Sequence, residues 1–140
     1  MQSVSVITLP VTDLARSTRF YEGGFGWSPV FVMEDIRFYQ LNGLVFGLWL
    51  GDALAEDAGV ESLDPAGSIA LGHNVHHRSE VEPLMARLAE NGGEITRPAA
   101  EPPHGGYRGY LRDPDGHLWE IAHNPVWRMD ESGATRFAIP

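Results

Sequence analysis

The sequence contains no cysteine, which removes thiol nucleophiles, iron-sulfur clusters and cysteine-ligated zinc and fits a cytoplasmic setting. It is short of positive charge: ten Lys plus Arg stand against nineteen Asp plus Glu, for a net charge of -9. Those ten bases are scattered, so phosphate backbones find no basic patch and nucleic acid is not an expected partner. Long apolar runs are missing too. No stretch approaches the roughly 18 consecutive apolar residues of a membrane span, so the chain reads as soluble with no membrane partner. The opening segment MQSVSVITLP lacks a basic n-region and a small-residue cleavage site, and reads as a strand rather than a secretion signal.

What is present describes one globular domain. At 140 residues and 43% hydrophobic, the chain can bury a core without disulfides or structural metal. Val4 to Val11 is a β-branched strand, and Asp13 is placed to cap a helix through Leu14, Ser17, Phe20 and Tyr21 that stops at Gly23-Gly24. Strands are expected around Ser28 to Met33, Ile36 to Leu41 and Leu44 to Leu50, with Asn42-Gly43 turning between the last two. Residues 52–67 hold Asp52, Glu56, Asp57, Glu61 and Asp64 without a base, and read as a solvated acidic connector. Beyond it the order recurs. Ser68 to Val75 is a strand, and Ser79 with Glu82 forms a capping box for a helix whose apolar face is Val81, Leu84, Met85 and Leu88. Glu94 to Arg97, Tyr107 to Arg112 and His117 to His123 are strands, the last two joined by Asp113-Pro114-Asp115-Gly116.

The halves also agree in residues: Ile7-Thr8-Leu9 matches Ile69-Ala70-Leu71, and Gly43 to Trp49 has the rhythm of Gly116 to Ala122. The sequence therefore predicts an α+β fold of two βαβββ modules, residues 3–51 and 68–124, within one domain spanning 1–140. Each module has one helix for one sheet face and leaves the other face to be covered by a twin, so the expected site is a cleft between modules. The tail, 125–140, carries Trp127, Met129, Phe137 and Ile139 for packing on the domain or on a second subunit.

This duplication, with the segments Val11-Thr-Asp-Leu-Ala-Arg-Ser-Thr-Arg-Phe-Tyr21 and Asp113-Pro-Asp-Gly-His-Leu-Trp-Glu-Ile121, resembles the vicinal oxygen chelate superfamily over about residues 3 to 125. That group includes glyoxalases, bleomycin-resistance proteins and extradiol dioxygenases. The resemblance implies a curved mixed-sheet cleft, a homodimer and a small-molecule ligand. It does not choose between metal-dependent lyases, epimerases, thiol transferases and dioxygenases on one side and metal-free proteins that sequester a drug on the other. Metal-dependent members take their ligands from the first and last strands of each module, and the repeat places those positions at Val6, Gly47, Ser68 and Glu120. Glu120 alone fits the family pattern, whereas a divalent ion needs three or four such donors. A small-molecule-binding protein without the usual metal, and with no other cofactor, is the expected function. The alternative is a lyase, isomerase or dioxygenase using Glu120 as acid or base, or a displaced metal site.

Strand alternation puts Leu118, Glu120 and Ala122 on one face, and His117, Trp119, Ile121 and His123 on the other, away from the cleft. His73 and His77 are four apart, but they span a strand end and a loop, where that spacing does not bring side chains together. The expected cleft residues are Val6, Thr8, Trp49, Ser68, Asn74, Tyr107 and Glu120, with Tyr107 placed near Glu120 across the last hairpin. Trp49 reads equally as core or as a ligand platform. Glu120 either keeps its charge against a cation, which an acidic surface would favour, or is protonated in an apolar cleft and serves as general acid or base. His104 sits in a Gly/Pro-rich loop as a surface residue or a rim proton carrier, and Asp113 and Asp115 are turn residues without a catalytic part.

Overall fold

A computed structural model describes residues 1–137. The elements run β1 (Val6–Val11), α1 (Leu14–Thr18) continuing as a π-helical stretch (Arg19–Gly24), β2 (Pro29–Val32), β3 (Ile36–Leu41), β4 (Leu44–Leu50), α2 (Gly51–Ala58) and β5 (Ala70–Asn74). A 3-10 turn (Arg78–Glu80) then leads into α3 (Val81–Glu90), β6 (Glu94–Ala100), β7 (Tyr107–Arg112), β8 (Leu118–His123), β9 (Trp127–Met129) and β10 (Thr135–Phe137). The two βαβββ modules are thus present, each with a mixed four-stranded sheet, ordered β1-β4-β3-β2 and β5-β8-β7-β6.

Local chemistry explains the boundaries. Asp13 caps α1 by accepting from the Arg16 amide at 3.0 Å. The second helix is capped two residues ahead of the expected Ser79: the Glu80 carboxylate accepts from the His77 amide at 2.7 Å, so the capping box belongs to His77 and Glu80. The strand expected from Ser68 begins at Ala70, because its ladder partner β8 begins opposite it at Leu118. The residues read as connector open with helix α2, whose acids stay in water and whose Ala55 is buried. Trp127 and Phe137 meet edge to face at 5.4 Å in a hairpin of β9 and β10; Ile139 lies outside the described residues.

The helix-facing side chains of both sheets share one core. Leu9, Val11, Tyr39, Phe46 and Leu48 of the first module join Leu111, Trp119 and Ile121 of the second, with Phe20, Tyr21, Leu84 and Leu88 from the helices among them. Phe46 and Trp119 lie 6.0 Å apart, ring to ring. Burying each such side chain contributes roughly 1.5–3 kcal/mol. Since successive strand residues point to opposite faces, the faces bearing Thr8 and Gly47 and bearing Gly72 and Glu120 are turned away from that core. Within one chain the two modules meet through their helical sides, and the cleft faces expected to enclose a site together are open.

The modules are also pinned by polar groups. Asp115 accepts from the Thr12 amide at 2.9 Å, Arg16 Nη2 at 3.1 Å and Ser17 Oγ at 2.5 Å. Asp113 accepts from Tyr21 Oη at 2.6 Å, and Trp119 Nε1 donates to the same phenol oxygen at 3.2 Å. Burial and the neighbouring Asp113 carboxylate hold the Tyr21 phenol well above its ordinary pKa, so it stays the donor.

Candidate functional site

The open face of the second sheet gathers the polar chemistry. Glu120 lies centrally on β8, paired with Gly72 on β5 and Tyr110 on β7. Tyr110 Oη donates to Glu120 Oε2 at 2.5 Å. That bond, followed by partial burial, raises the phenol's pKa, while the positive charges of Arg108 and Arg97 pull it down. A Cβ built at Gly72 would meet nothing within 4 Å, so the space beside Glu120 is clear.

Tyr107, expected beside Glu120, is on the other side of the sheet. The loop from Asp113 to His117 is closed by the Asp113 amide donating to the His117 carbonyl at 2.8 Å, which pairs Arg112 with Leu118 and hence Tyr110 with Glu120. The expected register is one residue off, and a one-residue slip exchanges the faces. Tyr107 instead donates to Glu82, with the Arg78 guanidinium 4.1 Å above its ring. It lines an open groove of about 880 Å³ on the helical side together with His77 and His123.

The other expected cleft residues are spread over two faces that do not meet in the chain. Val6 starts β1 at 49% exposure, and Thr8 and Trp49 share the open face of the first sheet, Trp49 donating to Asp35 Oδ2 at 3.1 Å. Ser68 is exposed and precedes β5. Asn74 ends β5 and lines a cleft of about 330 Å³ against Trp127 and Met129 of the tail. The histidines read as off the face behave so: His117 is buried with Nε2 2.8 Å from the Pro10 carbonyl oxygen, and His73 packs its ring 5.1 Å from Phe25, burial lowering its pKa.

The donor set does not fit a shared divalent metal. Level with Gly47 and Glu120 in the ladders stand Thr8 and Gly72. Whether the first-strand positions are taken there or at Val6 and Ser68, Glu120 is the one charged donor, and a lone hydroxyl is a weak companion. Gly47 is also packed over: a Cβ there would stand 2.9 Å from Phe38 Cε1 and 3.3 Å from Thr8 Oγ1, leaving no room for a longer ligand. Among the described residues no group of three His, Asp or Glu side chains is placed to hold a metal, and no helix is long and apolar enough to cross a membrane.

The profile of the Glyoxalase/Bleomycin resistance protein/Dioxygenase superfamily matches residues 3–121. No curated protein matches the chain. A solved structure described as a glyoxalase-related enzyme from Fulvimarina pelagi is 55% identical, with 99% of this chain and 100% of that one covered and a TM-score of 0.97. Two further structures share the fold alone. Lactoylglutathione lyase from Agrobacterium tumefaciens is 20% identical over 91% of this chain and 97% of that one, with a TM-score of 0.71. The fosfomycin resistance protein FosX from Mesorhizobium loti is 21% identical over 90% and 95%, with a TM-score of 0.67. Paired βαβββ modules and a sequence match over most of its length agree: the chain belongs to the Glyoxalase/Bleomycin resistance protein/Dioxygenase superfamily.

Proposed function

We propose that this protein binds a small organic molecule over Glu120 without a divalent metal at the usual positions, in a cleft completed by a second copy of the chain. The observation that carries the reading is the Tyr110–Glu120 pair at 2.5 Å on an open sheet face, with clear space beside it at Gly72. An open face needs a cover. The first sheet's open face suits that part when it comes from a second chain, since it exposes apolar groups such as Val6 at 49% and Phe31 at 45%. Weak donors at Thr8 or Ser68 and the packed Gly47 support metal independence. The test is metal analysis of untagged, dialysed protein together with thermal shift: stoichiometric zinc, nickel, iron or manganese would refute it, as would melting temperatures that no small molecule raises in wild type.

A second reading, catalysis of a lyase or isomerase type with Glu120 moving a proton, is favoured by the relative at 55% identity being described as a glyoxalase-related enzyme. Under that reading Glu120→Gln abolishes turnover while ligand still raises the melting temperature. Under the binding reading there is no turnover to lose.

A further inference from the structure

All ten basic residues of this acidic chain are arginines, and three of them stand on strands of the second sheet around Glu120. Arg108 pairs with Ala122, Arg97 lies directly across from Tyr110, and Arg112 pairs with Leu118. Residues opposed in an antiparallel ladder point to the same face, so Arg108, Tyr110 and Arg112 share the open face with Glu120, and Arg97 flanks Tyr110. Arg112 is engaged with Glu94 at 3.4 Å. Arg108 is different: its Nη1 is buried and has no hydrogen-bond partner among the described residues, although the guanidinium stands only 5.8 Å from the Tyr110 ring centre. A buried cationic donor left unpaired is costly, and proteins keep one where something else supplies the acceptor.

Glu120 does not supply it: its Oε2 accepts from the Tyr110 phenol, and among the described residues no hydrogen bond joins its carboxylate to Arg108. A covering first sheet from a second copy would not supply it either. No strand residue on that face is a carboxylate, and the one carboxylate beside it, Asp35, already accepts from Trp49 Nε1 at 3.1 Å. A bound water would satisfy Nη1 alone, whereas the whole fork of the guanidinium, with Arg97 beside it on the same face, matches the paired oxygens of a carboxylate or phosphonate. We propose that the ligand of this face is a small organic anion, its carboxylate or phosphonate group seated on Arg108 and Arg97 beside the Tyr110–Glu120 pair. This rests on the reading of the face as a small-molecule site, and it reverses the expectation that the acidic surface selects a cation.

Titration calorimetry at low salt with phenylphosphonate and benzoate, against benzamide and benzylamine as neutral and cationic counterparts, tests the assignment. The two anions are expected to bind saturably and more weakly as potassium chloride is added. Arg108→Ala weakens them at least tenfold, Arg97→Ala and Arg108→Lys severalfold, and Arg78→Ala, on the helical side, has no effect. Should Arg108→Ala fail to fold, Arg108→Lys and Arg97→Ala carry the test. Anion binding that survives the changes at Arg108 and Arg97, or falls equally in Arg78→Ala, overturns the proposal. Benzamide or benzylamine binding as tightly as benzoate overturns the anion assignment while the face remains a binding site; no binding of any probe removes both.

Discussion

Glu120 and Tyr110 touch because the loop before β8 pairs Arg112 with Leu118; a one-residue slip in that register would put Gly109 or Leu111 across from Glu120 in place of Tyr110. The pair has a spectroscopic consequence. Glu120 holds the Tyr110 phenol above its ordinary pKa, against Arg108 and Arg97. In Glu120→Gln the raising charge is gone and the arginines remain, so the phenol ionises at lower pH than in wild type. A phenolate ultraviolet titration, with Tyr110→Phe subtracted to isolate the one residue, checks the direction. Gly47 gives a second prediction: Gly47→Ala pushes a methyl to 2.9 Å from the Phe38 ring, costing about 1–3 kcal/mol by overpacking. Combining it with Phe38→Leu recovers part of that cost in urea unfolding, as coupled neighbours do. His73 supplies a third. Burial lowers its pKa from 6.5, so the folded chain keeps it neutral at pH values where an unfolded chain already takes the proton. Stability is therefore unaffected above about pH 6.5 and declines below it, with a slope of at most about 1.4 kcal/mol per pH unit for one proton. His73→Leu removes that component of the acid slope, read as the difference between denaturation midpoints across pH.

Among elements, β3, β4 and β7 were legible to the residue, because β-branched and aromatic runs end at strong turns such as Asn42-Gly43, where Gly43 has φ of 78°. The helix α2 was not, since its acids dominate its composition and its one buried side chain is Ala55. Nor was the face of Tyr107: alternation tells which residues share a face within a strand, while pairing across a hairpin needs the loop's hydrogen bonds. The same lesson governs Arg108, whose part is visible only once β7 and β8 are in register. Asp113 and Asp115 were read as turn residues, and they are, with Asp113 Oδ1 accepting from the Asp115 and His117 amides at 2.9 and 2.8 Å. What the turn chemistry hid is that Asp115 reaches the other module. Its side chain is 5% exposed, and Asp115→Ala strands the Thr12 amide and the Ser17 hydroxyl. The expected loss is about 3 kcal/mol, larger than for Asp130→Ala in the exposed terminal hairpin, as measured by chemical denaturation.

At the scale of the whole molecule, two sheets sharing a core through their helical sides leave two open faces pointing outward. One is apolar: Phe31 lies across from Phe38 with rings 5.6 Å apart, Phe31 being 45% and Val6 49% exposed. The other carries Glu120, Tyr110 and the arginines. Unlike faces that each need a cover suit a two-fold pair, in which the apolar face of each copy closes the polar face of the other and two equivalent clefts result. If the pairing is of this kind, sedimentation finds twice the 15.4 kDa chain mass for the wild type. Phe31→Glu, which places a charge on the covering face at a residue already 45% exposed, yields the single-chain mass with the chain's own fold intact. The decisive part is the coupling. If the covering face belongs to a partner, as proposed, Phe31→Glu also loses phenylphosphonate binding although it leaves Arg108, Tyr110 and Glu120 untouched. A monomer that binds the probe as well as wild type would show that the second sheet is a complete site by itself.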